Sequence, residues 1–156
     1  MSIAASETRV EPTTMTVEEF LALPDDGVDR ELIEGVVRIR GMTIRNRFHA
    51  RSESRVAHLL WSWLETRPEP RGEIISGEGG FRLKATKATL VGIDVVYVSA
   101  ELLAATDPKR KIYDGPPTLA VEVLSPSDPH EDVVEKVNST SKSARSSGSS
   151  TPTSAP

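Results

Sequence analysis

The sequence predicts an α/β domain, and three observations carry this prediction. Apolar residues repeat with helical spacing in one long segment, and two other segments are short apolar runs of the kind that form buried strands. Glycine-rich and proline-containing stretches separate these segments and mark turns. A chain of 156 residues has room for one domain with a real core, but not comfortably for two.

The long central helix is the clearest predicted element, because its apolar residues repeat along one helix face. These residues are Val56, Leu59, Leu60, Trp63 and Leu64. We expect this helix to begin near Asn46 and to end before Pro68. A shorter helix is expected to begin at Thr16, where Thr16 and Glu19 can form a capping box.

The predicted strands are short and are bounded by turn residues. They cover residues 31–34 and 36–40 on either side of Gly35, residues 73–76 and 81–84 around a glycine-rich bulge or turn, residues 91–98, and residues 119–124. A short helix is expected over residues 99–105, with Ser99 as its cap, and another helix is expected to start at Asp128.

Composition excludes several classes of protein. The chain has no cysteine, which rules out disulfides and thiolate–zinc sites. The polar, charged N-terminus does not resemble a secretory signal, and no apolar run could span a bilayer. We therefore expect a cytoplasmic protein with no membrane partner.

The charge of the chain gives little support for nucleic-acid binding through a global field. Residues 139–156 contain two of the 19 basic residues and no acid, so residues 1–138 carry 17 basic and 23 acidic side chains, a net charge of −6. Any binding of DNA would have to depend on a local basic patch.

Two acids in apolar strands are the informative chemical feature. Asp94 and Glu122 each interrupt an otherwise apolar run, and such runs are typical of strands buried on both faces. Two buried carboxylates on neighbouring strands could share a divalent cation, and Mg²⁺ favours such ligands. The alternative is that each acid lies at a strand end and pairs with Arg or Lys.

Five short motifs, in order along the chain, resemble the Uma-type family of restriction endonuclease-like proteins, once classed as a domain of unknown function. They are MTVEEFL at residues 15–21, RELIEG at 30–35, IDVVYVS at 93–99, GPP at 115–117 and VEVLSPS at 121–127. The resemblance covers residues 15–138. It implies the PD-(D/E)xK nuclease-like fold, which is a central mixed β-sheet flanked by helices with carboxylates gathered at one edge.

The resemblance also implies a set of site residues. Asp94 and Glu122 would be the two core acids, Glu31 would join them, and the Val123 carbonyl would be a further ligand of Mg²⁺ or Mn²⁺. The usual pattern places a lysine two residues after the second acid, where this chain has Leu124. The resemblance suggests that Lys136 of the following helix takes that role; the alternative is a surface pair between Lys136 and Asp132.

Basic residues near the start of the central helix are candidates for contact with nucleic acid, most simply DNA. They are Arg45, Arg47, Arg51 and Arg55, together with His49, which matches a histidine often found in the family. The alternatives are a solvated helix face for the arginines and a polar helix-start residue for His49. His58 and His130 are expected to be structural.

The C-terminal sequence departs from the family pattern after Asn138. Residues 139–156 are almost wholly small and polar, so we expect them to be disordered. We expect the same of residues 1–14, which are also polar. A frame shift or truncation that removed the last strand or strands would leave residues 15–138 as an incomplete endonuclease-like domain. Such a domain would be marginally stable or dependent on homodimer formation, with impaired activity.

Three functions therefore remain open at this stage. The first is a Mg²⁺-dependent endonuclease that hydrolyses phosphodiester bonds. The second is a non-catalytic remnant that binds DNA or a paralogue through an exposed sheet edge. The third is a structural or regulatory domain without a metal.

Overall fold

The computed structural model describes residues 14–39, 46–83, 87–124, 134, 136–138 and 140–141. The helices are α1 (Val17–Leu21), α2 (Arg47–Glu65) and α3 (Ala100–Ala105). The strands are β1 (Arg30–Ile33), β2 (Val36–Ile39), β3 (Glu73–Leu83), β4 (Thr89–Val98), β5 (Tyr113–Asp114) and β6 (Leu119–Val121). Residues 134, 136–138 and 140–141 are helical and are called the C-terminal helical segment below. No helix in the described part of the chain has the length and apolar character needed to cross a bilayer.

The six strands form one mixed sheet, as predicted. Its order is β2-β1-β4-β3-β5, and β6 also pairs with β4. The β3–β5 pair is parallel and all other pairs are antiparallel. β4 is therefore the central strand, with β3 on one side and both β1 and β6 on the other.

Helices cover both faces of the central strands. Leu102 and Leu103 of α3 pack against a core cluster that contains Val96 and Val98. Val95, which directly precedes Val96, packs instead in a cluster with Ala57, Leu64 and other residues of α2. Since successive side chains of a strand point to opposite faces, α2 and α3 flank opposite faces of the sheet.

The predicted helix starts are confirmed. Thr16 and Glu19 form the reciprocal capping box of α1, and Ser99 caps α3. Asn46 caps α2 by accepting hydrogen bonds from the backbone N–H groups of Phe48 and His49, at 3.0 and 2.9 Å. The start predicted at Asp128 lies outside the described residues, and helical geometry extends beyond Asn138 to Thr140 and Ser141.

The last predicted strand is shorter and more exposed than expected. β6 ends at Val121, so Glu122 follows the strand instead of interrupting it. Leu119 is 41% exposed and Leu124 is 62% exposed, so the prediction of burial on both faces is wrong for this strand. It holds for β4, where Asp94 and its apolar neighbours Ile93 and Val95 are all buried.

Candidate active site

Asp94 and Glu122 lie next to each other, as their neighbouring strands require. The antiparallel pairing of β4 with β6 places Val95 opposite Val121, so the residue before Val95, which is Asp94, comes next to the residue after Val121, which is Glu122. Asp94 is 5% exposed, and its Oδ2 accepts a hydrogen bond of 2.7 Å from the backbone N–H of Val123. This bond ties the β4 carboxylate to the segment that carries Glu122.

Lys136 joins this pair to a third carboxylate. Its Nζ lies 2.9 Å from Oε1 of Glu31 and 2.9 Å from Oε1 of Glu122. Lys136 is only 5% exposed, which is inconsistent with the alternative of a surface pair with Asp132. A lysine of the C-terminal helical segment therefore lies beside Glu122, although position 124 is occupied by leucine.

Glu31 reaches the site where two strands separate. β1 and β4 share one registered pair, Leu32 with Leu90. Beyond it the Glu31 side chain enters the gap, and its Oε1 accepts a hydrogen bond of 3.1 Å from the backbone N–H of Gly92. The Glu31 carboxylate thereby provides the hydrogen-bond acceptor for a backbone N–H of the central strand, and Glu31 is only 4% exposed.

A histidine and a further carboxylate from α2 approach Asp94 at its other oxygen. His49 Nε2 lies 3.3 Å from Oδ1 of Asp94 and 3.9 Å from Oε2 of Glu53. One potential ligand atom from each of these three residues lies within 4.8 Å of the other two. His49 is 7% exposed, so this residue of the first turn of α2 is a buried member of the group.

Within the part of the chain that the structure describes, His49 Nε2 has no hydrogen-bond partner, although it is buried. The nearby Asp94 oxygen is close enough for an ion pair but lacks the geometry of a hydrogen bond. Leaving a buried polar atom unsatisfied costs about 1–3 kcal/mol, so such atoms in a site call for an explanation.

An irregularity in β3 holds Glu53 in place. The register between β3 and β4 shifts between Ser76 and Gly79, which gives β3 one extra residue. Gly77 has φ of 86°, and its N–H donates a hydrogen bond of 2.7 Å to Oε1 of Glu53. Bulges of this kind are common next to active sites, where they redirect side chains and backbone groups.

The sequence interpretation did not select Glu53. A signal was present, because His49, Glu53, Ala57, Leu60 and Leu64 recur at helical spacing and continue the inward face of α2 into its first turns. A count of apolar residues alone leaves the first two positions out of this face. The bulge that holds Glu53 depends on tertiary pairing and could not be placed from the sequence.

Negative charge dominates the site. Among the described residues, four carboxylates, those of Glu31, Glu53, Asp94 and Glu122, belong to this connected site, and the one ammonium in it is that of Lys136, which contacts Glu31 and Glu122. Burial raises the pKa of Glu122 above its ordinary value; the Lys136 ammonium opposes this rise, and the Asp94 and Glu31 carboxylates add to it. The local excess of negative charge favours a bound cation.

Of the predicted basic residues, His49 lies in this cluster, whereas the arginines that the structure describes lie outside it. Arg47, Arg51 and Arg55 are exposed and recur every fourth residue along α2, and the Arg47 guanidinium lies 4.7 Å from the centre of the Phe48 ring. Arg45 lies outside the described residues. The three arginines belong to the same turns of α2 that carry His49 and Glu53 inward.

Comparison with solved structures defines the class of fold. A crystal structure from Anabaena variabilis ATCC 29413, described as a putative nuclease belonging to DUF820, superposes with a TM-score of 0.68. The two sequences are 19% identical, and the match covers 83% of this chain and 69% of the other. At this level of identity the likeness establishes the fold, a nuclease-like mixed α/β domain.

The family is established by sequence. Residues 17–139 match the model of the family described as "Uma2: Putative restriction endonuclease", and the chain belongs to that family. This confirms the resemblance seen in the five motifs. A search among curated proteins found no match.

Proposed function

We propose that this protein is a divalent-metal-dependent endonuclease that hydrolyses phosphodiester bonds of DNA. The observation that carries the proposal is the meeting of Glu31, Asp94, Glu122 and Lys136, which come from four separate segments of the chain. The family and the fold of the solved neighbour agree with a nuclease. Fold alone does not fix function, so the argument depends on the site.

The carboxylates fit a hard divalent cation, Mg²⁺ or Mn²⁺. Oxygen ligands suit these ions, and a cation would offset the negative charge of Asp94 and Glu31, which adds to the effect of burial in raising the pKa of Glu122. Glu31, Asp94 and Glu122 would hold the ion, with the Val123 carbonyl as a further ligand. The ion would polarise the scissile phosphate and make a nearby water a better nucleophile.

The remaining steps belong to side chains of the protein. Lys136 holds Glu31 and Glu122 in position and can donate a hydrogen bond to the attacking water or to a phosphate oxygen as negative charge develops. The exposed Arg47, Arg51 and Arg55, with Arg45, would bind backbone phosphates and set the DNA beside the acids.

Cleavage of supercoiled plasmid by the full chain tests this proposal. We expect nicking with Mg²⁺ or Mn²⁺, none with EDTA, and a loss of about a hundredfold or more in Asp94→Asn, Glu122→Gln and Lys136→Met. Glu65→Gln, at the exposed end of α2, is the matched control and should retain activity. Nicking that survives Asp94→Asn, or its absence with either metal, would overturn the proposal; cleavage of RNA alone would correct the substrate.

A second candidate is a non-catalytic domain that binds DNA, a paralogue or a second copy of the chain. The exposure of Leu119 and Leu124 on the β6 side of the sheet favours it, because apolar side chains at a sheet edge attract partners. Sedimentation equilibrium separates the two candidates. A stable dimer that binds DNA without cutting it would support the second.

A further inference from the structure

We propose that His49, Glu53 and Asp94 form a separate binding site for a divalent transition-metal ion, centred at Oδ1 of Asp94. The inference shares Asp94 with the proposed nuclease site, but it concerns binding of an ion and does not require cleavage. Asp94 would then face two cation positions, one through each carboxylate oxygen.

The distances suit a common ion. Ligand atoms about 2.0–2.2 Å from one metal are separated by about 3–4 Å when they occupy adjacent or opposite positions around it. His49 Nε2 lies 3.3 Å from the Asp94 oxygen and 3.9 Å from the Glu53 oxygen. All three ligand atoms lie within 4.8 Å of one another, so small side-chain rotations would complete the site.

The unpartnered nitrogen points independently to a ligand. His49 is 93% buried, and its Nε2 is directed at two carboxylates without forming a hydrogen bond to either. A metal ion between these groups would take up the lone pair of the neutral imidazole and offset both negative charges.

Glu53 is prepared for this role by the β3 bulge. Its Oε1 accepts the hydrogen bond from the Gly77 N–H, and this leaves Oε2 as the oxygen turned towards His49. Hydrogen-bond donors that contact a metal ligand in this way fix the orientation of the ligand and so contribute to the affinity of the site for metal. The contact also links the site to the central pair of strands.

The ligand atoms of this site, one imidazole nitrogen and two carboxylate oxygens, indicate which ions should bind to it. Imidazole nitrogen suits Mn²⁺, Co²⁺ and Zn²⁺ better than Mg²⁺, which prefers oxygen ligands. The acids around Lys136 offer only oxygen, whereas this site mixes nitrogen and oxygen. We therefore expect Mn²⁺ to bind here in preference to Mg²⁺.

Electron paramagnetic resonance of Mn²⁺ bound to the untagged chain tests the proposal without measuring activity. Pulsed spectra should show coupling to a histidine nitrogen, and growth with ¹⁵N-histidine should change that coupling. The chain has three histidines. The coupling should disappear in His49→Gln and persist in His58→Gln, a matched control on the exposed face of the same helix.

The double variant His58→Gln, His130→Gln leaves His49 as the sole histidine and replaces none of the three proposed ligands, so it decides the matter even if His49→Gln does not fold. Retention of the nitrogen coupling supports the proposal. Its absence in the wild type saturated with Mn²⁺, its loss in the double variant, or full displacement of Mn²⁺ by an equal concentration of Mg²⁺ would overturn it.

The two proposals fail separately. Nitrogen coupling without plasmid nicking would remove the nuclease and keep the metal site. Nicking supported by Mg²⁺, without nitrogen coupling from Mn²⁺, would keep the nuclease and remove this site. Glu122→Gln should abolish nicking but leave the coupling in place, because Glu122 is not among the three ligands.

Discussion

The two oxygens of the Asp94 carboxylate have different neighbours. Oδ2 accepts a hydrogen bond from Val123 N, while Oδ1 faces His49. One buried side chain therefore belongs both to the group of acids held by Lys136 and to the group on α2. Replacement by asparagine keeps an acceptor for Val123 and removes the charge, so Asp94→Asn isolates the role of charge from that of packing.

Glu122 makes the stability of the metal-free protein depend on pH. Burial raises the pKa of this carboxyl in the folded state, so between its ordinary value of 4.5 and the raised value the folded chain binds more protons than the unfolded chain. The stability contributed by Glu122 is therefore complete below the ordinary pKa and is lost as pH rises through the raised one. We expect the free energy of unfolding of the wild type to fall, relative to Glu122→Gln, over this interval.

Urea unfolding in EDTA, followed by circular dichroism across the acid-to-neutral range, measures this difference. Glu65→Gln is the reference, because Glu65 is exposed at the end of α2 and should give a difference that does not change in this way. A Glu122→Gln difference that runs in the opposite direction would show that attraction to Lys136 outweighs burial.

At the scale of elements, α2 connects local sequence to the site. Asn46 accepts hydrogen bonds from the N–H groups of Phe48 and His49, so the cap also sets the backbone of the histidine that faces Asp94. The first turn of α2 contains no acid that would complement the helix dipole. The cap is therefore the main local stabiliser of this end of the helix.

Removal of this cap should have a measurable cost. We expect Asn46→Ala to lower the free energy of unfolding by about 1 kcal/mol. Asn46→Asp keeps the acceptor and adds a favourable charge at the helix start, so it should match or exceed the wild type. Equilibrium unfolding in urea measures both variants. An alanine variant as stable as the aspartate variant would mean that the cap contributes nothing.

Local rules predicted the elements that have local causes. The caps at Thr16 and Ser99, the start of α2 near Asn46 and the bend at Gly35, where φ is 82°, depend on residues close in sequence and were predicted correctly. The end of β6 was predicted incorrectly, because this strand extends only over the residues that pair with β4, from Leu119 to Val121.

Only some residues of the candidate site were predicted, because the others are brought to the site by tertiary packing and not by local sequence. Asp94 stood out because a carboxylate in an apolar strand is unusual, and Lys136 was reached through the family resemblance. The inward turn of His49 and Glu53 depends on how α2 packs on the sheet. Apolar periodicity misjudged this packing as well, since Leu59 is 61% exposed whereas Ala57 is buried.

At the scale of the whole molecule, the acids of the site and the arginines of α2 are separated: the acids lie towards the interior and the arginines lie at the surface. The chain carries a net charge of −4, yet the acids of the site are buried or half-buried and the exposed arginines of α2 form a row at every fourth residue. Long-range attraction to DNA is therefore weak, and binding has to come from contacts close to the site. Salt dependence of binding reports how many phosphates those contacts neutralise.

The arginine row should account for a defined part of that salt dependence. Each phosphate contact contributes about 0.9 to the slope of log affinity against log salt concentration, so replacing Arg47, Arg51 and Arg55 together by Gln should reduce the slope by about 2.7. Arg67→Gln, an exposed arginine beyond the end of α2, is the control and should leave the slope unchanged. Fluorescence anisotropy with a labelled duplex in EDTA measures binding without cleavage. If Arg67→Gln lowers the slope as much as Arg51→Gln does, the arginines contribute only general charge, and the DNA does not lie along α2 beside the acids.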